Sequence, residues 1–138
     1  MLKEKVLQEK QQIVEEIKNK VNDAESVVLV DYRGLKVDEL TELRRQYREA
    51  GVDYKVYKNT MMRFAFKEAG FEEFNEYLVG PNAVAFGMDD PVQAAKITDE
   101  FAKEHKSLEI KAGIVDGKII GMDEIKSLAS LPSKEVLI

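Results

Sequence analysis

Between Lys58 and Lys67 the chain reads Lys-Asn-Thr-Met-Met-Arg-Phe-Ala-Phe-Lys, and no acid occurs anywhere from Tyr54 to Lys67. Asn59 is a good cap for a helix starting here. A helix N-terminus presents unpaired N–H groups and about half a positive charge, an anion site before any side chain contributes. Lys58 precedes that terminus, and Thr60, Arg63 and Lys67 follow at i, i+3 and i+7 along one polar face. The chemistry of such a set is phosphate binding. A capped helix with incidental surface cations has the same spacing.

Two other cationic groups precede it. Tyr32-Arg33-Gly34-Leu35-Lys36 has the composition of a loop leaving a strand, with Gly34 allowing close backbone approach between two cations. On a helical wheel of the segment from Val37 to Ala50, Leu40, Leu43, Tyr47 and Ala50 form a buried stripe. Arg44, Arg45 and Arg48 gather on one flank and Asp38, Glu39, Glu42 and Glu49 on the other. Gly80-Pro81-Asn82 is uncharged and reads as a turn, which leaves backbone contact through Gly80 and Pro81 open.

Catalytic chemistry has little to work with. The 138 residues include no cysteine and one histidine, His105, which excludes thiol chemistry and nearly excludes a histidine-based metal or triad site. No glycine-rich phosphate loop, serine elbow or metal-ligand spacing occurs. The acid pairs Glu72-Glu73, Asp89-Asp90 and Asp123-Glu124 stand beside expected helix starts, where they complement the dipole. His105 is expected as a charge partner near a helix end. A non-enzyme needing no cofactor is the expectation, in a reducing compartment such as the cytoplasm.

The net charge of −5 argues naively against a nucleic-acid partner, but the average hides a segregation. All five arginines lie between positions 33 and 63. Arginine's planar fork suits phosphate better than an ammonium does. At 44% hydrophobic residues the chain has enough apolar surface for one core, and no run approaches the roughly 20 apolar residues of a membrane span. Nor does the N-terminus resemble a signal peptide.

Positioning these groups requires an ordered scaffold. Helical periodicity is expected over residues 2–22, 37–50, from Asn59, from Asp90-Pro91 and over 122–128; Phe71, Phe74 and Leu78 suggest a helical turn or two. Apolar runs or alternation mark strands at Val27–Val30, Val52–Tyr57, Ala83–Phe86 and Leu108–Ile114, with Asp116-Gly117 turning into Lys118–Ile120. The expected fold is α/β and plait-like: a four- or five-stranded mixed sheet with helices packed mainly on one face.

Asp31-Tyr32-Arg33-Gly34-Leu35, Thr41-Glu42-Leu43-Arg44, Glu49-Ala50-Gly51-Val52, Lys58-Asn59-Thr60-Met61 and Val79-Gly80-Pro81, followed by Leu131-Pro132-Ser133-Lys134-Glu135, resemble in order and spacing the bacterial large-subunit ribosomal protein ten family of the stalk base. The resemblance implies a non-catalytic domain that docks on large-subunit rRNA beside ribosomal protein eleven. It further implies a C-terminal helix carrying stalk-protein dimers (ribosomal protein seven/twelve) that help recruit translational GTPases, and binding to the family's own leader mRNA. On this reading residues 1–131 are the rRNA-binding domain, and 132–138 a linker and first turn of the stalk-binding helix, with Val136, Leu137 and Ile138 opening its apolar, partner-binding side. That turn alone is expected not to hold the dimers. Lys58, Asn59, Thr60 and Arg63 would be the main phosphate site, supported by Lys67, by Arg33, Gly34 and Lys36, and by Arg44, Arg45 and Arg48. A small-molecule-binding regulatory module and a ribosome-assembly factor of the same family are the alternatives.

Overall fold

The computed structural model describes residues 2–88, 90–115 and 117–130. Five strands, β1 (Ser26–Asp31), β2 (Val52–Lys55), β3 (Ala83–Gly87), β4 (Glu109–Val115) and β5 (Lys118–Gly121), form one sheet in the order β2-β3-β1-β4-β5. Five helices accompany them: α1 (Leu2–Asp23), α2 (Val37–Glu49), α3 (Asn59–Glu68), α4 (Pro91–Glu104) and α5 (Met122–Ala129). A 3-10 helix spans Glu72–Tyr77. The α/β expectation holds, with five strands.

Two details of that expectation are corrected. Every neighbouring pair of strands is antiparallel, so the sheet is not mixed. The α2 crossover does make β1 and β2 run the same way, but β3 inserts between them; β3 and β4, joined through α4, are likewise separated by β1. Parallel connections therefore exist without parallel neighbours. Helices also cover both faces. Val27 and Leu29 of β1 pack with Ile17 of α1, Met62 and Phe66 of α3, and Phe74. The alternate residues Val28 and Val30 pack with Leu43 and Tyr47 of α2, Phe101 of α4 and Ile125 of α5. A central strand covered on both sides must be apolar at successive positions, which is why Val27–Val30 carries no polar residue.

Local chemistry explains the element ends. Pro91 occupies the first position of α4, and the Val92 amide donates to Asp90 Oδ1 at 2.8 Å, so the expected cap is formed. His105 ends α4 and approaches Glu39 Oε2 through Nδ1 at 2.6 Å, tying that end to the first turn of α2. There Glu39 also accepts from the Lys36 amide at 2.9 Å. These contacts, the Lys36 amide first, hold the Glu39 carboxyl below its ordinary value. On the other face Lys20 of α1 bonds Asp53 Oδ2 at 2.8 Å and the Tyr57 hydroxyl at 3.1 Å. Val115 pairs with Lys118 and Gly117 has φ +75°, as a tight β4–β5 turn requires; Asp116 lies outside the described residues.

The expected strand Leu108, Ile110, Ala112, Ile114 is interrupted. Val30 pairs with Ile110 but Leu29 pairs with Ala112, which leaves Lys111 as a bulge. Ile110 consequently faces the α2–α4–α5 layer while Ala112 and Ile114 face α1 and α3.

Candidate nucleic-acid interface

Antiparallel pairing brings the ends of β1 and β2 to the same edge of the molecule as the starts of β3 and β4. Val30 is opposite Ala83, Lys55 opposite Val84 and Asp31 opposite Glu109. Four connections separated widely in sequence meet there: 32–36, 56–58, 78–82 and 105–108.

The turn Leu78–Pro81 is the centre of this end. Gly80 has φ +74°, a conformation side chains disfavour, and the position of its missing Cβ lies 2.7 Å from Arg33 Nη2. Asn59 Nδ2 donates to Gly80 O at 2.7 Å, and Asn82 Nδ2 donates to both Gly80 O and Asn59 Oδ1 at 3.1 and 2.9 Å. Arg63 Nη2 donates to Leu78 O at 2.8 Å. Lys111 Nζ donates to Val79 O and, at 3.4 Å, to Tyr77 O. Arg33, Asn59, Arg63, Gly80, Asn82 and Lys111 are therefore one site, although they come from four separate stretches of the sequence.

Not every expected residue takes the place assigned to it. Asn59 is not the cap of α3. Lys58 holds that position without a side-chain bond, and the Asn59 amide is spent on the turn. Gly34 is bare because Ser107 is close: a Cβ there would lie 2.6 Å from the Ser107 Cβ, so its small size serves a loop-to-loop contact. Lys36 is exposed at the start of α2. Lys58 and Thr60 line a groove against α1 with Val14 and Phe64, turned from the side that Arg63 reaches, and Lys67 is exposed further along α3.

The α2 arginines lie in the opposite layer, on a helix running away from this end. Arg44 sits 5.8 Å over the Tyr54 ring and Arg48 is exposed. Arg45 is bound by Glu42 and by Glu49, the latter at 2.7 Å. Those two partners raise its pKa and engage the guanidinium, and Arg45 in turn holds the Glu42 carboxyl below the usual range. The wheel separates cations from acids, but Arg45 stands at the seam between the two flanks and is laced to it. Lys111 is the residue sequence reasoning missed. Nothing local marks it, because the bulge that aims it is a property of strand pairing. Val136, Leu137 and Ile138 lie outside the described residues.

The profile of the family described as Ribosomal protein L10 matches residues 5–103, a span that holds every member of this site but Lys111. The chain belongs to the ribosomal protein L10 family. Similar relatives include the large ribosomal subunit protein uL10 of Finegoldia magna, 59% identical over 137 residues that cover 99% of this chain and 76% of the relative. Those of Shouchella clausii and Bacillus cereus are 55% and 53% identical over 134 residues, covering 97% of this chain and 81% of each relative. L10 proteins are structural ribosomal proteins, so a non-catalytic, ribosome-associated protein is the correct reading of the sequence. Among the described residues no helix is long and apolar enough to cross a membrane.

Proposed function

We propose that this L10 chain binds large-subunit rRNA at the base of the stalk through the cationic end of its sheet. Arg33, Lys36 and Arg63 supply charge at the end of the sheet that carries the Gly80–Pro81 turn, Asn59 fixes the turn, Lys67 extends the surface along α3, and Lys58 and Thr60 add a flank in the groove against α1. Arg44 and Arg48 form a separate flank. Arg45 is left out because its fork is occupied by acids. The observation that supports this reading is the gathering of Arg33 and Arg63 on one turn in a chain whose net charge is −5. Structured RNA is recognised largely through shape, phosphate and 2′-hydroxyl contacts, which such donors serve.

The same reading includes ribosomal protein eleven as a neighbour on the rRNA and leader mRNA as a second RNA ligand. It assigns attachment of the stalk dimers to the family's C-terminal segment from Pro132 onward, which lies outside the described residues. The test is binding to a stalk-base rRNA fragment, with and without ribosomal protein eleven, over a salt series. With about four to six phosphate contacts, log K should fall against log salt with a slope of about −3 to −5, because each neutralised phosphate releases counterions. A flat response would refute phosphate contact as the source of affinity.

A further inference from the structure

We propose that Lys111 is a positioning residue of the RNA-binding face: its ammonium holds the Val79–Gly80 turn in the shape that presents Arg33 and Val79 to RNA. The inference rests on the rRNA reading above and adds to it a residue outside the family match.

Four consecutive carbonyls, Tyr77 to Gly80, each accept from a side chain. Lys111 serves Tyr77 and Val79, Arg63 serves Leu78, and Asn59 and Asn82 serve Gly80. A carbonyl oxygen carries partial negative charge, so a turn with bare carbonyls would meet a phosphate with like charge. With all four oxygens covered, the turn offers RNA its other side. That side carries the Val79 side chain, 66% exposed, and the Arg33 guanidinium over Gly80. The ammonium reaches two carbonyls at once because it has three donors, and it reaches them at all because the bulge breaks the alternation of β4 at this residue. Lys111 thus acts through the turn. Charge contributed directly to a phosphate is a different role, and salt dependence separates the two.

Four forms of the 138-residue chain are compared on the stalk-base rRNA fragment: wild type, Lys111→Met, Lys111→Arg and Val79→Asp. Wild type is measured first, and its failure to bind would refute the rRNA reading itself. Lys111→Met keeps the aliphatic stem and removes the donors. Losing two hydrogen bonds to the turn should weaken binding by about tenfold, with the salt slope unchanged. Lys111→Arg, which keeps a donor, should recover most of that loss. A slope made shallower by about 0.7 to 0.9 would instead identify Lys111 as a phosphate ligand and overturn the positioning role. Unchanged affinity for Lys111→Met would overturn it equally. Val79→Asp changes an exposed side chain and leaves the core intact, so it tests the turn even where Lys111→Met folds poorly. It should reduce affinity more than tenfold by placing an anion against phosphates. Binding equal to wild type would put the turn outside the RNA face and end the proposal.

Discussion

Replacing Gly80 with alanine separates the backbone requirement of the turn from its role in presenting Arg33. At φ +74° the new Cβ costs about 1–2 kcal/mol of strain, as for any non-glycine residue in the left-handed region. Reduced freedom of the unfolded chain offsets about 0.4–1 kcal/mol of this, leaving a net loss of up to about 1.6 kcal/mol. For a chain of this size that corresponds to a fall of up to about 7 °C in melting temperature. Gly117 provides the control, because it has nearly the same φ, +75°, with no described atom within 4 Å of its Cβ position. Gly117→Ala should therefore lose similar stability and keep its RNA affinity. Gly80→Ala should also weaken rRNA binding about tenfold, since its Cβ displaces a guanidinium now 2.7 Å away. In an Arg33→Ala background the stability loss should persist while the additional binding loss disappears. Calorimetry and filter binding on wild type, the three single variants and the double variant measure both. Equal RNA affinity for Gly80→Ala and Gly117→Ala would refute the claim that Gly80 places Arg33.

Arg45→Ala should change rRNA affinity by less than about threefold, because Glu42 and Glu49 already engage the guanidinium; a loss comparable with that of Arg63→Ala would return α2 to the RNA face. Stability should fall as pH rises from about 10 to about 12, the interval between the ordinary tyrosine value and the folded-state values of Tyr54 and Tyr57. Burial raises both hydroxyls to about 12, helped for Tyr57 by its bond to Glu16, so the fold favours their neutral forms and that advantage vanishes above the folded value. Lys20 adds to the same limb: burial lowers its pKa, but Asp53 and Tyr57 outweigh that and raise it. Urea midpoints between pH 9 and pH 12 would show the decline, and Tyr54→Phe with Tyr57→Phe should flatten it; a decline unaltered by both changes would assign it elsewhere.

Much of the scaffold could be read from residue order because its determinants are local. The apolar stripe of α2, the Asp90-Pro91 start of α4 and the alternation in β2 are each complete within a few residues. The double-faced sheet was legible too, in principle: four apolar residues in succession at Val27–Val30 already require cover on both sides. What could not be read depends on pairing. The Asn59 side chain would cap α3 if the helix stood alone, but Gly80 O and Asn82 offer partners that only the folded sheet brings near. Gly34 does allow the close backbone approach its residue type suggests, but the group that approaches is Ser107, which only the fold brings near. The wheel of α2 gives angular positions but not reach, and the arginine and glutamate side chains are long enough to close the gap between flanks at Arg45.

The insertion of β3 between β1 and β2 is the step that makes the proposed RNA face possible. With β1 and β2 adjacent, the loops carrying Arg33 and Asn59 would border one another, and the Gly80 turn would lie elsewhere. With β3 between them, its leading turn comes between those loops, where Arg33, Asn59 and Arg63 all contact it. The gathering of charge at this turn is thus set by topology, and neither a sequence window nor the net balance reports it. The same arrangement links binding to folding. An RNA that recognises the assembled turn binds only molecules in which β3 is in place, so its binding energy stabilises the whole sheet.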